Sequence, residues 1–208
     1  MADSIADLGS PAAVFVLKPD WTNEPSLRLS SGREVLQYNG ARASLRPLST
    51  YTGRTIEYAF SVFDKEDELY ILNFLQTQRG RKLRFWIPLW FQEFQLAEAI
   101  VNGSYQFKIN DSDFADIVKY YERIFIYTNA GDLITRKVLS QIDAVTYVVE
   151  TAFDRNIALA DVSFFGRIIL CRFDQDELEM SCETDRVSSC SLAFKELPKE
   201  YDHPFGGS

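Results

Sequence analysis

Residues Asp64–Leu96 read DKEDELYILNFLQTQRGRKLRFWIPLWFQEFQL, and this stretch decides the fold because the chain's one complete helix signal runs directly into its densest aromatic cluster. Asp64 stands where an N-cap is expected. Glu66, Asp67 and Glu68 fill the first turn, where the positive end of the helix dipole favours carboxylates, and Gly80 follows Arg79 as a stop. The pattern predicts a helix over about 64–79. Ile71, Phe74 and Leu75 share an apolar face, widened by Leu69 and Leu72, while Asn73, Gln76 and Gln78 are polar, so the helix is expected to lie along a sheet. After Gly80 the basic residues Arg81, Lys82 and Arg84 alternate with Leu83, Phe85 and Ile87 as a strand. Pro88 then interrupts a segment carrying Trp86, Trp90, Phe91 and Phe94.

Outward from the helix the chain reads as short strands. Immediately before it, Thr55–Val62 alternates Ile56, Tyr58 and Phe60 against Glu57 and Ala59. Earlier candidates are Ala13–Lys18, Leu27–Leu29, and Arg33–Tyr38 with Arg42–Leu48, the last two joined by the hairpin signal Asn39-Gly40. Beyond the aromatic segment come Tyr105–Ile109, then Arg123–Thr128 and Leu133–Leu139 across an Asn129–Asp132 turn. Ala144–Thr151, Ser163–Phe173, Leu178–Thr184 and Ser189–Leu197 complete the series. The expected class is mainly β: an antiparallel β-sandwich or barrel flanked by one α-helix, with a second set of hairpins toward the C-terminus. One structural domain is expected over 13–197, with room for a subdivision near 97–122, between a flexible N-terminus at 1–12 and a loose tail at 198–208.

With 208 residues, 46% hydrophobic and 14% aromatic, the chain has ample material for a packed core. A net charge of -8 and a pI of about 4.8 oppose an ordinary nucleic-acid surface, which needs clustered Lys and Arg. No apolar run approaches the roughly 20 residues of a membrane helix, and MADSIADLGS lacks the basic start and apolar core of a signal peptide. A soluble product made in the cytoplasm, without membrane insertion, is expected. Three cysteines, none in CxxC spacing, and a single histidine leave zinc sites and thiol–histidine catalysis without support. Cys182 and Cys190 read as buried structural thiols.

Asp174, Asp176, Glu177 and Glu179 are the nearest approach to a catalytic or metal cluster, because closely spaced carboxylates can hold calcium or act as acid and base. In an extended chain the two aspartates share one face and the two glutamates the other, and the glycine of a calcium loop is missing, so a solvated strand and turn is the expectation. Asn110, Asp111, Asp113 and Asp116 form a second acidic group that lacks the terminal glutamate of such a loop. The run Arg79, Arg81, Lys82, Arg84 beside Trp86 could serve single-stranded nucleic acid. Given the global acidity, a basic edge pairing with acidic neighbours in the same chain or another subunit is the simpler reading. Trp86, Trp90 and Phe91 are expected to join these cations in contacting a partner; a sugar platform is the rival use of the same rings. No Gly-rich phosphate loop and no Gly-x-Ser-x-Gly elbow occur, so no enzyme class and no cofactor is indicated.

Two separated stretches together resemble one family. The order of strand Thr55–Val62, helix with ELYILNFLQTQRGR and aromatic strand LRFWIP resembles the central part of distal tail proteins of long-tailed bacteriophages and gene transfer agents. The closing VSFFGRIILCRFDQDELEMSC resembles the Arg-Phe-Asp-x-Asp-x-Leu ending of the same proteins, carried here by Arg172, Phe173, Asp174, Asp176 and Leu178. The resemblance follows the element order over 30–197, with 97–165 matched only in style, and WIPLWFQEF departs from the acidic aromatic pair common in the family. It implies a tail-tube-like β-sandwich with one helix, six copies closing into a ring between tail tube protein and baseplate hub protein. It also implies a place in the virion tail tip, with DNA only as passing cargo in the lumen. A tail-tube or tube-terminating subunit is the neighbouring reading. A carbohydrate-binding β-sandwich using Trp86–Phe94 and a glycoside hydrolase using Asp174–Glu179 are rivals from other classes.

Overall fold

A computed structural model describes residues 4–9, 13–29, 33–38, 41–47, 53–110, 123–182, 184 and 187–197. Strands β1 (Ser4–Ile5), β2 (Ser26–Leu29), β3 (Arg33–Tyr38), β4 (Ala41–Pro47) and β5 (Arg54–Val62) precede helix α1 (Lys65–Gln78). After it come β6 (Phe85–Pro88), β7 (Gln106–Lys108), β8 (Arg123–Thr128), β9 (Leu133–Gln141), β10 (Thr146–Val149), β11 (Val162–Phe173), β12 (Met180–Cys182) and β13 (Ser188–Glu196). The protein is mainly β, 45% strand with one α-helix among the described residues, and its large sheet stays open where a closed barrel was one expected form. The chain forms two compact units, 1–16 with 85–169 and 17–84 with 170–208. Residues 97–110, at the start of the region that allowed a subdivision, lie wholly inside the first.

In the first unit β11, β8, β9, β10 and β7 follow one another by antiparallel pairing. The β8–β9 hairpin closes on the expected turn: Gly131 takes a φ of 88°, its N–H reaches the Thr128 carbonyl at 3.0 Å, and Tyr127 faces Leu133. The core gathers Phe94, Phe107, Ile124, Ile126, Tyr147 and Phe165, with Phe107 stacked on Tyr147 at 5.4 Å. Residues 4–9, expected to be loose, instead add β1 in parallel to β9. Asp7 holds them there: its carboxylate accepts the Lys137 and Thr151 N–H groups at 3.3 and 3.1 Å and the Thr151 hydroxyl. Ala13–Lys18 forms no full strand; Val14 makes an isolated parallel bridge to Trp86.

In the second unit β5 pairs with β2 and β13, β13 also with β12 and with the end of β11, and β3 pairs separately with β4. The Asn39-Gly40 turn lies outside the described residues. Alternation works as predicted. Ile56, Tyr58, Phe60 and Val62 point inward from β5, opposite Phe194, Leu192, Cys190 and Ser188 of β13. At the edge of this core Glu196, only 4% exposed, receives Arg54 through Nε at 2.8 Å and Nη2 at 3.2 Å. Helix α1 begins after Asp64, which has N-cap backbone angles but no capping side-chain bond. Ile71 and Gln78 are buried and Phe74 and Leu75 half-buried, whereas Leu69 and Leu72 are 49% and 39% exposed. The expected widening of the apolar face therefore fails: at 100° per residue the inner stripe is 71, 74, 75 and 78, with Leu69 on the opposite side and Leu72 on the flank. Phe74 meets Phe173 edge-on at 6.2 Å, and Phe173 lies against Phe194 at 5.4 Å.

Candidate contact surface

The helix ends in two successive left-handed residues, Arg79 (φ 55°) and Gly80 (φ 59°). The Gly80 N–H bonds back to the Leu75 carbonyl at 3.2 Å and the Arg79 N–H to that of Gln76 at 3.1 Å, satisfying carbonyls the helix leaves open. The turn is held from outside by Asp176, whose Oδ1 accepts the Arg81 N–H at 2.9 Å and whose Oδ2 lies 3.8 Å from Arg81 Nε. Gly80 has no room for a side chain there: a Cβ would stand 2.5 Å from Asp176 Oδ1 and 3.1 Å from Asp176 Cα. The helix stop and the acidic segment after β11 thus form one local structure across 95 residues of sequence.

Around this turn Arg79, Arg81 and Lys82 are exposed and Arg84 is half-buried. Arg79 and Lys82 make no ion pair among the described residues, and the exposed Arg81–Asp176 pair is too solvated to neutralise the edge. The rings expected beside them are elsewhere. Trp86 and Trp90 are 1% and 0% exposed, inside the first unit, so the expected partner contact through these two rings is corrected to a core role. Phe91 is half-buried. The physical reason is that the segment after β6 lies along β11: the Leu89 N–H bonds the Arg167 carbonyl at 3.0 Å, and the Glu93 and Phe94 N–H groups both bond that of Phe165 at 3.1 Å. Glu93 and Arg167 fix it with a bidentate ion pair, and Trp90 packs edge-on against Phe125, Tyr127 and Phe164 at 5.7, 5.1 and 5.8 Å. Trp86 lies under the Arg123 guanidinium at 5.0 Å.

Of the closing motif, Phe173 is fully buried, Asp174 and Leu178 half-buried, and Arg172 and Asp176 exposed. Residues 174–179 are not strand, and β12 begins only at Met180; Asp176 turns to Gly80, while Glu177 and Glu179 line an open cleft of about 650 Å³ with Asn23, Gln175, Ser181 and Ser191. Among the described residues no three His, Cys, Asp or Glu side chains group as a metal would require. Of the second acidic group only Asn110 falls within the described residues. Cys190 lines the same cleft at 7% exposure, and burial pushes its thiol up to about 11. Burial likewise raises the Cys171 thiol, with Glu196 adding to it. Cys182, expected to be buried, is exposed, because β12 is an edge strand. Cys190 faces Met180, which puts Cys182 on the diagonal, at about 7–8 Å between Cα atoms. That is too far for an unstrained disulfide.

Sequence reasoning missed the Arg54–Glu196 and Glu93–Arg167 pairs and Asp7, all joined over long sequence separations with no local signal. No family model matches this sequence, and no curated protein matches it either.

Proposed function

We propose that the chain is a structural subunit of a phage-like tail tip, a distal tail ring component between tail tube and baseplate hub, acting by assembly and not by catalysis. One observation carries this reading: the two stretches on which the resemblance rests, the helix ending Arg79-Gly80-Arg81 and the Arg172–Leu178 motif, pack on each other through Asp176. Elements that define a family by their order gain weight when they also support each other in space. The exposed cations of the same turn give a subunit contact its charge, and ring closure requires complementary patches on each copy. A net charge of -8 suits a lumen through which DNA passes without sticking. The sugar-platform alternative loses Trp86 and Trp90, which are interior.

The test is size-exclusion chromatography with light scattering, followed by negative-stain imaging. Closed rings are expected, and Arg81→Glu with Lys82→Glu should reduce them while leaving the melting temperature near wild type. Open tubes would favour the tail-tube subunit. A monomer at every concentration that binds polysaccharide or cleaves glycosidic bonds would overturn the structural reading.

A further inference from the structure

Residues 4–9 occupy a slot in the first unit that fits them residue by residue. β1 runs parallel to β9, with Ser4 beside Ile134 and Ile5 beside Thr135. Thr135 is fully buried, and its hydroxyl accepts the Ala6 N–H at 3.0 Å and donates to the Ala6 carbonyl at 2.9 Å, doing for one residue what a neighbouring strand would do. Arg123, 5% exposed, donates from Nε to the Asp7 carbonyl at 3.1 Å. The Asp7 carboxylate takes the Lys137 and Thr151 N–H groups and the Thr151 hydroxyl, and Leu8 follows it, buried. The slot thus reads main chain at residue 6, a carboxylate at 7 and an apolar side chain at 8. Emptying it would break all of these bonds and return the Leu8 side chain to water, so an occupant of this sequence is strongly favoured.

These contacts do not require slot and segment to belong to one copy. The side-chain hydrogen bonds that hold residues 6 and 7 each span 116 residues of sequence or more, so they tie the segment to the slot and not to the chain that directly follows it. That chain leaves the slot through Gly9, left-handed at a φ of 69° with open space around its Cβ position, so a backbone turn and not packing sets the exit direction. We propose that the slot along β9 is a strand-acceptor site, and that residues 4–9 of a second copy fill it when copies associate. Every contact of the docked segment is the same in either case. The turn at Gly9 and the effective concentration of the neighbouring segment then set the balance. A chain that adds to a sheet edge is held mainly through its main chain, with side-chain pockets giving selectivity, and here Asp7 and Leu8 supply it. Reciprocal exchange closes a pair, and exchange passed from copy to copy closes a ring. The proposal stands apart from the tail-ring reading, since it concerns where residues 4–9 dock and not what the assembly belongs to.

Complementation between two full-length variants tests it, read by native mass spectrometry, with circular dichroism checking that each is folded. Asp7→Lys spoils the segment and leaves the slot; Thr135→Val with Thr151→Val spoils the slot and leaves the segment. Neither should exchange alone. An equimolar mixture should give a one-to-one pair about tenfold more abundant than the pairs of either variant, because only the mixture joins a sound segment to a sound slot. Gly9→Val, which disfavours the left-handed exit, should raise pairing of the otherwise unchanged chain several-fold. A second readout needs no variant of the protein: the free peptide SIADLG, in excess, should break wild-type pairs into peptide-bearing monomers, whereas the same peptide with Asp7→Lys should not. The proposal is overturned if the mixture forms no pair beyond those of its components, if the two peptides act alike, or if the wild type is monomeric at every concentration. Rings that persist in Asp7→Lys would overturn exchange and leave the tail-ring reading standing. Exchanged pairs with no ring at any concentration would do the reverse.

Discussion

Replacing Gly80 by alanine perturbs two things at once, and the structure separates them. Its φ of 59° is left-handed, which costs a side-chain-bearing residue about 1–2 kcal/mol. The new methyl would also stand 2.5 Å from Asp176 Oδ1 and 3.1 Å from its Cα, so the carboxylate must retreat and release the 2.9 Å bond from the Arg81 N–H. That bond is exposed and contributes on the order of 0.5–1 kcal/mol. With the residual backbone crowding, Gly80→Ala should cost about 2–4 kcal/mol. Asp176→Ala alone should cost under about 1 kcal/mol and, by removing the oxygen in the way, should lower the Gly80→Ala cost to about 1–2 kcal/mol in the double variant. Urea titrations of the wild type, both single variants and the double variant, read by circular dichroism and tryptophan fluorescence, complete the cycle. A Gly80→Ala loss below about 0.5 kcal/mol, or the same loss with and without Asp176, would refute the claim that the helix stop and the closing motif form one structure.

Three further outcomes are expected. Phe173→Ala should cost about 3–5 kcal/mol, since its ring is fully buried between Phe74 and Phe194, whereas half-buried Phe74→Ala should cost about 1–3 kcal/mol; equal losses in urea titration would contradict the packing order. Arg54→Met should destabilise by about 3 kcal/mol near neutral pH by stranding the Glu196 carboxylate, and Arg54→Met with Glu196→Leu should recover most of it in the same assay. A thiol reagent near pH 8 should label Cys182 quickly and Cys171 and Cys190 slowly, as mass spectrometry would read. Because the Cys190 thiol is raised from 9.0 to about 11 in the folded chain, the unfolded chain loses its proton first. Stability contributed by this group is therefore full below pH 9 and lost as pH rises toward 11, and Cys190→Ala should flatten that part of the profile.

Most strands were legible because period-two alternation and turn residues are local signals. β5, β8, β11 and β13 fall within one residue of their predicted limits, and the Asn129–Asp132 turn joins the strands it was expected to join. Helix α1 was legible in extent and only partly in orientation. Counting leucines pointed to Leu69 and Leu72 as core, but the angle per residue puts buried Gln78, not either leucine, in line with Ile71 and Phe74. The burial of Trp86 and Trp90 was misread because aromatic density around a proline looks like a loop. A four-residue strand whose residues are all buried, as in β6, shows no alternation to betray it. The ion pairs at Glu93–Arg167 and Arg54–Glu196 depend on register between distant strands, and no local window contains that information.

The stretch Asp64–Leu96 looked like one functional block, cations beside aromatics, and the chain passes between its two compact units within it, at 84/85. Adjacency in sequence therefore did not make one surface. Arg79, Arg81 and Lys82 remain exposed after the helix, while Trp86 and Trp90 lie in the core of the other unit, where the Trp86 N–H bonds the Ala13 carbonyl at 2.9 Å and the Trp86 carbonyl accepts the Phe15 N–H at 2.8 Å. Any surface contact would have to find its apolar area elsewhere than in those two rings. Beside the same cations the exposed apolar side chain is Leu83, at 41%, between Lys82 and Arg84.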